Sequence, residues 1–351
     1  MTEYRLLDAY LQLHHAGPEW GQNQLTNHGP MVAETLVRRG HGDGVSEWVG
    51  RYVERLDDLP RRVDLLSDAN WRTALGDARR VTDWTFYFGR QLAERPWQEV
   101  LVRWWPRLLP GIAAGTTHGV IRVGHAVRAL LADRGNDSGP IVLELAGALA
   151  FWAARYRVVP GSPALTGELD PASALDRLPN LGDQPGSVAE RFARLPRTPA
   201  WAAALTGLRP PADAIDAAFL LGELVTAGTL QYRRHGAASP VLLVHAATAP
   251  NAILHTLPAL PPQLWIRSLR AAWSATAAVS ASYRLRPAAG RPDHDVLGGT
   301  VDDLFARAVG HGDEHVIKFT DTALDVYERT GNPAAPAAAA LAAQLIDRPG
   351  R

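Results

Sequence analysis

The chain of 351 residues contains no cysteine and, among 36 basic residues, a single lysine. Without cysteine, disulfides, thiolate zinc sites, iron–sulfur clusters and cysteine nucleophiles are excluded, so any bound metal must be held by nitrogen and oxygen atoms. The 36 acidic residues balance the basic ones, and a chain without net charge has no general attraction for nucleic acid or anionic membranes. There is no leader pattern and no uninterrupted apolar run of about 18 residues. We therefore expect a cytoplasmic protein that binds neither nucleic acid nor membranes.

Several common site motifs are also missing. The chain has no G-x-G-x-x-G, no G-x-x-x-x-G-K-[ST], no H-E-x-x-H and no G-x-S-x-G. A Rossmann site for flavin or nicotinamide is therefore unsupported. The pair His294-Asp295 is typical of helical phosphohydrolases, but its Pro- and Gly-rich surroundings argue against that interpretation.

The apolar residues of the long segments recur at helical spacing and β-branched runs are short, which predicts an all-α protein. Residues 97–131 carry an apolar stripe that Pro110-Gly111 interrupts, and a second periodic run begins at Ile112, so two helices are predicted there. Further helices are predicted at about 141–157, 213–234, 262–285 and 300–330, and after Pro336.

Loops are predicted where proline, glycine and polar residues cluster, at Asp133–Pro140, 160–187 and Arg286–Asp295. The loop 160–187 is the only candidate domain boundary, because a connection of that length is unusual within a compact domain. We predict a single large helical domain over residues 1–351. The eleven tryptophans are expected in its core, unless several line a pocket for a flat aromatic ligand.

The single lysine, Lys318, follows His315 by three residues. A buried lysine, unlike arginine, can lose its proton and act as a nucleophile, a base or an acceptor of CO2, and a carbamate offers an oxygen ligand to a metal. Residues at i and i+3 of a helix share one face, so this pair has workable metal-ligand spacing. The alternative is that a GC-biased genome removed lysine and one remained by chance or in an ion pair.

Five histidines lie in apolar segments with small residues, where an imidazole needs partners: His28, His118, His125, His245 and His315. His118 and His125 are seven residues apart, about 10 Å along a helix, so we expect only one of them to bind metal. Gly119 predicts close backbone approach beside His118, so we choose His118, and the choice of four from five stays open. Six further histidines in polar or glycine-rich surroundings are expected to be exposed: His14, His15, His41, His235, His294 and His311.

A metal site in the helical core follows from these residues. A set of imidazole ligands with one oxygen donor suits iron, zinc, copper or nickel, and the softness of these ligands does not discriminate among the four metals. His125 and Arg122 are the candidate catalytic residues. Arg122 and Arg128 would pair with phenolate or carboxylate groups of a substrate, or else face solvent or a glutamate.

Five segments carry a further signal: Asn27–Met31, Pro106–Gly111 leading into Thr117–Gly119, His125–Arg128, Val244–Pro250, and Asp313–Lys318. They occur in this order over roughly residues 20–330. Taken together, these segments resemble the questin oxidase family. Ala247-Thr248 stands where the family often has Val-Thr, a change that bears on the pocket rather than on the metal.

The resemblance implies an O2-dependent monooxygenase or dioxygenase that opens an anthraquinone-type aromatic polyketide in a Baeyer–Villiger-like oxidation. For the ring-cleaving branch it implies non-haem Fe(II), bound by histidines and a lysine that CO2 has carboxylated. Carried over to this chain, these ligands are His28, His118, His245, His315 and Lys318. Some members are NADPH-using oxidases without a recognisable flavin site, so NADPH is a candidate external reductant.

Three alternatives compete with this interpretation. A metal-dependent hydrolase or cyclase would use the same ligands to hold hydroxide. A monooxygenase that uses NADPH without a bound metal is the second. The third is a non-enzymatic protein that binds aromatic metabolites, in which the tryptophans matter and the histidines are packing residues.

Overall fold

The computed structural model of the protein describes residues 2–21, 25–133, 139–161, 164–182, 185–284 and 300–349. The predicted loop Arg286–Asp295, with His294, and most of the loop Asp133–Pro140 lie outside the described residues.

Helices make up most of the described chain, which confirms the all-α class. Among the described residues the one sheet is a short antiparallel pair, β1 (Glu19–Trp20) with β2 (Leu25–Thr26). No helix in the described ranges is both long and apolar enough to span a membrane.

By its internal contacts the chain forms two compact units. The first comprises Met1–Val158 and His255–Leu264, and the second comprises Val159–Leu254 and Trp265–Arg351. The division falls at the start of the predicted loop 160–187. The single-domain assignment stays a prediction.

The first unit contains the two strands and seven helices among its described residues. They are α1 (Thr2–His14), α2 (Gly29–Arg38), α3 (Val45–Val53), α4 (Val81–Glu94), α5 (Trp97–Leu108), α6 (His118–Ala132) and α7 (Pro140–Ala154). Helix α7 is apolar around almost its whole circumference, as expected of a central helix. It packs against α4, α6 and α1.

The second unit is built on two longer helices and several short ones. They are α8 (Pro171–Asp176), α9 (Val188–Arg194), α10 (Trp201–Thr206), α11 (Ala214–His235), α12 (Pro240–Leu243), α13 (His245–Thr256, whose last residues belong to the first unit), α14 (Trp265–Tyr283), α15 (Val301–His311), α16 (Glu314–Thr330) and α17 (Ala334–Leu345). Helix α11 packs against α14 and α17, and α16 packs against α17.

The tryptophans lie mainly in the two cores. Six are fully buried: Trp84, Trp104, Trp105, Trp152, Trp201 and Trp273. In the first unit Trp84 and Trp104 meet edge to face, with ring centroids 5.5 Å apart, the arrangement that aromatic quadrupoles favour. The predicted stripe of α5 is buried along its length.

The structure corrects three of the predicted helical and loop segments. Helix α6 begins at His118 rather than at Ile112, because Gly115, Thr116 and Thr117 have φ of 51°, 57° and 75°, which a right-handed helix does not allow. The segment 300–330 is two helices, since Gly312 ends α15 with φ of 88° and the Asp313 carboxylate caps α16. The loop 160–187 contains α8, which the Asp170 carboxylate caps.

Candidate functional site

Two of the predicted ligands, His28 and His118, lie side by side in the first unit. Their ring centroids are 4.4 Å apart, and both side chains are buried. His28 immediately precedes α2, and its backbone N–H donates to the Tyr52 hydroxyl at 2.8 Å. The next residue must be small, because a Cβ on Gly29 would lie 2.4 Å from Cδ2 of Leu13. The local sequence thus holds this histidine at a fixed point against α1 and α3.

His118 is held by strained backbone. It is the first residue of α6 and follows three consecutive left-handed residues, Gly115, Thr116 and Thr117. Left-handed threonines are costly, and such strain concentrates at functional sites. The His118 Nδ1–H donates to the Gly115 carbonyl at 2.5 Å. Since a carbonyl only accepts, Nδ1 carries a proton, and in the neutral imidazole Nε2 is then the atom that can bind a metal, the arrangement usual for a metal-binding histidine.

The glycine next to His118 serves the packing of α6 on α7. A Cβ on Gly119 would lie 2.8 Å from Cγ of Trp152. The close backbone approach predicted from this glycine is therefore an approach to Trp152.

In the second unit, His245 and His315 form another pair, with ring centroids 5.8 Å apart. His245, the first residue of α13, is buried. Its Nδ1 lies 3.1 Å from the carbonyl oxygens of both Val241 and Leu242 and donates its hydrogen to them, so in the neutral imidazole Nε2 is the atom that can bind a metal. Burial, and then the charges of His315 and Lys318, hold the pKa of His245 well below its usual value.

His315 and Lys318 occupy the first turns of α16, on one face as predicted. The carboxylate of Asp313 accepts from the backbone N–H of His315 at 2.8 Å, and it lies 3.5 Å from the His315 Nδ1. Donor atoms of Asp313, Glu314 and His315 lie within 4.8 Å of one another, close enough to hold one metal ion. Sequence reasoning missed both acidic residues, although an aspartate directly before a helical run is a signal for an N-cap.

Lys318 is buried, with only 3% of its surface exposed. Burial lowers its pKa to about 8, while the nearby Glu314 and Asp313 carboxylates act in the opposite direction. Lys318 thus has the burial that its proposed chemistry requires, and its carboxylation stays a prediction.

The two candidate catalytic residues are both engaged by carboxylates. Arg122 donates to Glu144 of α7 through Nε at 2.6 Å and Nη2 at 2.7 Å, and both side chains are buried. His125 Nδ1 lies 2.7 Å from Oε2 of Glu34 on α2. Their catalytic roles stay predictions, and the structure shows Arg122 in an ion pair and His125 in a hydrogen bond, each joining two helices.

Arg128 shares the same carboxylate, since its Nε donates to Oε1 of Glu34 at 2.8 Å. It therefore faces a glutamate, which was one of the two alternatives for this arginine. Burial acts to raise the pKa of Glu34, but the Arg128 charge and the His125 hydrogen bond outweigh it and lower that pKa to about 2.

Of the described histidines expected to be exposed, His15 is exposed, His14, His41 and His235 are half-buried, and His311 is buried. His311, the last residue of α15, is 7% exposed, and its Nε2 lies 3.1 Å from the Ile346 carbonyl. The prediction for this residue was wrong, because the C-terminal turn after α17 covers it.

Comparison with curated proteins and with solved structures found no significant match to this chain. The model of the questin oxidase-like family matches residues 50–132, about a quarter of the chain, which includes α4, α5, α6 and His118. The resemblance to the questin oxidase family is thus confirmed over this segment.

Proposed function

We propose that this protein is a non-haem iron-dependent oxygenase that oxidatively cleaves a ring of an anthraquinone-type aromatic polyketide. The family match supports an oxygenase-type activity. Iron, the carboxylated lysine and the substrate are proposals that rest on the side chains described above.

The proposal rests mainly on two buried imidazoles whose Nδ1 hydrogen bonds leave Nε2 for a metal in the neutral ring. His118 and His245 each donate Nδ1–H to backbone carbonyls, so their tautomers and ring orientations are set before a metal arrives. A neutral imidazole held in this way can offer Nε2 to a metal without a change of tautomer or of ring orientation. This donor set of nitrogen and oxygen fits iron.

We assign His28, His118, His245, His315 and Lys318 as the residues that hold the metal. When bound, iron supplies the redox chemistry with O2 that protein side chains lack. Lys318 contributes an oxygen ligand as its carbamate. The carboxylate of Asp313, beside the His315 Nδ1, orients that imidazole.

The protein's own contribution is placement and exclusion of water. His28, His118, His245 and Lys318 are all nearly inaccessible. Electrostatic interactions within such surroundings are stronger than in water, and side reactions of oxidising species with solvent are suppressed.

The test is the iron content and O2 consumption of the full chain. We expect near one iron per chain after anaerobic loading with Fe(II), and O2 consumption with a reduced anthraquinone. His118→Ala, His245→Ala and Lys318→Arg should each reduce iron affinity roughly tenfold or more. His311→Gln is the matched control, since His311 is equally buried and has no predicted ligand role.

The requirement for O2 distinguishes the proposed oxygenase from the alternative functions. Turnover of substrate without O2 would favour a hydrolase or cyclase. Activity that needs NADPH and survives chelation would favour the metal-free monooxygenase. Protein that takes up no iron and leaves every reduced anthraquinone unchanged would contradict the proposal and favour an aromatic-binding protein.

A further inference from the structure

A second feature of the first unit points to a ligand. A cavity of about 630 Å³ is lined by the end of α1, the segment 59–65, one face of α4 and two residues of α7. That volume is in the range of small-molecule sites. None of the histidines assigned to the metal lines it.

The face of α4 makes room for this cavity. Thr85, Phe86, Gly89 and Ala93 all line it, at the spacing of one helical face. Gly89 lies in the middle, and a Cβ added there would meet nothing within 4 Å. The glycine therefore leaves open space where most side chains would project into the cavity.

The walls carry apolar side chains that a folded protein usually covers. Leu65 and Phe86 are each 55% exposed, and Leu59 and Leu143 are also exposed. All four line the same cavity. Single exposed apolar residues need no explanation, but a concentration of them around one concavity marks a binding surface.

The permanently charged side chains of the lining are two arginines. Arg62, Arg90, His14 and His15 line the cavity, and no aspartate or glutamate does. The Arg62 guanidinium stacks over the Phe86 ring at 4.5 Å, and within the described residues it forms no ion pair. Among the residues that the structure describes, the Arg90 guanidinium donates to the Leu66 carbonyl alone, at 3.2 Å. Both guanidinium groups therefore keep donors for an anion.

We propose that this cavity binds a small aromatic anion, such as an aryl carboxylate. The ring would contact Phe86, Leu65 and Leu143, and the anionic group would face Arg62 and Arg90. The Arg62 guanidinium and the Phe86 ring both present planar surfaces. They therefore favour a flat aromatic ligand over an aliphatic anion. The inference concerns binding alone, and it requires neither the metal nor the proposed oxygenase activity.

Calorimetric titration of the full chain with 2-naphthoate tests the proposal. We expect 2-naphthoate to bind about tenfold more tightly than the neutral 2-naphthamide, the effect of about one charge-assisted contact. It should also bind more tightly than octanoate, which has the carboxylate but lacks the aromatic ring. The double variant Arg62→Gln with Arg90→Gln should bind the acid and the amide equally. Arg61→Gln is the matched control, because Arg61 is adjacent in sequence but does not line the cavity.

The shape of the site is tested at Gly89. Gly89→Phe should fill the cavity and abolish binding, while Gly89→Ala, whose methyl group meets nothing, should retain it. Thermal unfolding of each variant checks that it is folded. Equal affinity for acid and amide in the parent, equal affinity for octanoate, or undiminished binding in folded Gly89→Phe would overturn the proposal.

Discussion

At the residue scale, the described histidines differ in the group that their Nδ1 atom contacts. His118 and His245 donate to backbone carbonyls, whereas the Nδ1 of His125 faces the carboxylate of Glu34. A backbone carbonyl sets a tautomer without adding charge. A backbone carbonyl and a carboxylate can both orient a metal-binding imidazole, so the choice of His118 over His125 stays a prediction.

Glu34 gives a prediction about acid stability. Its folded pKa of about 2 is below the value of about 4.3 expected in the unfolded chain. Its contribution is therefore fully present above about pH 4.3 and is lost as the pH falls towards 2. We expect Glu34→Gln to lower the free energy of unfolding by about 3 kcal/mol at pH 7, since it leaves Arg128 without its counterion.

Urea unfolding at pH 7 and pH 3 measures this effect. The destabilisation by Glu34→Gln should be smaller at pH 3 than at pH 7, because the parent has by then lost part of the same interaction. A difference between parent and variant that does not depend on pH would contradict the assignment.

At the element scale, the main buried ion pairs of the first unit join helices. Arg122 on α6 is paired with Glu144 on α7, and Arg128 on α6 with Glu34 on α2. Gly119 lets α6 approach Trp152 of α7 closely. Since His118 begins α6, these contacts hold its backbone in place, and the two arginines act on the site by positioning that helix.

The Arg122–Glu144 pair distinguishes a role in stability from a role towards substrate. Arg122→Met should lower the free energy of unfolding by about 3–5 kcal/mol, because it leaves a buried carboxylate uncompensated, and adding Glu144→Leu should restore most of the loss. Chemical denaturation of the two single variants and the double variant provides the measurement. The exposed pair of Arg51 and Glu47 is the control, where Arg51→Met should cost less than about 1 kcal/mol. A fully stable Arg122→Met protein would favour the substrate-binding role instead.

At the scale of the whole molecule, each compact unit has its own core and its own pair of neighbouring histidines. His28 and His118 belong to the first unit, and His245 and His315 belong to the second. The chain is electrically neutral, so no general field draws an anionic substrate. Recognition of such a substrate must come from local groups.

Metal binding should also raise the stability of the folded protein. A metal that binds only folded protein stabilises it by mass action, by roughly 3 kcal/mol at a hundredfold excess over Kd. We expect Fe(II) under anaerobic conditions to raise Tm and a chelator to reverse the change. Lys318→Arg should lose this increment, and His311→Gln should keep it. Scanning calorimetry supplies the measurement, and an equal increase of Tm in Lys318→Arg would place the metal elsewhere.

The sequence by itself determined the features that depend on neighbours along the chain. Helical periodicity predicted the all-α class and the buried stripe of α5, and the i, i+3 spacing placed His315 and Lys318 on one face of α16. The absence of cysteine restricted the ligands to nitrogen and oxygen, and the single lysine marked a residue that proved to be buried. Such inferences succeed because the geometry of a helix is repeated every few residues.

Only the tertiary structure decided which partners meet across the chain. Glu34 and Arg128 are 94 residues apart, and Arg122 and Glu144 are 22 apart, so no local pattern shows that these arginines face carboxylates. The left-handed turn before His118 and the burial of His311 depend in the same way on packing by distant segments. The cavity beside Gly89 is also a tertiary feature, since its walls come from separate helices. The sequence gives the chemical groups of the side chains. The packing of the helices determines which of these groups lie within bonding distance.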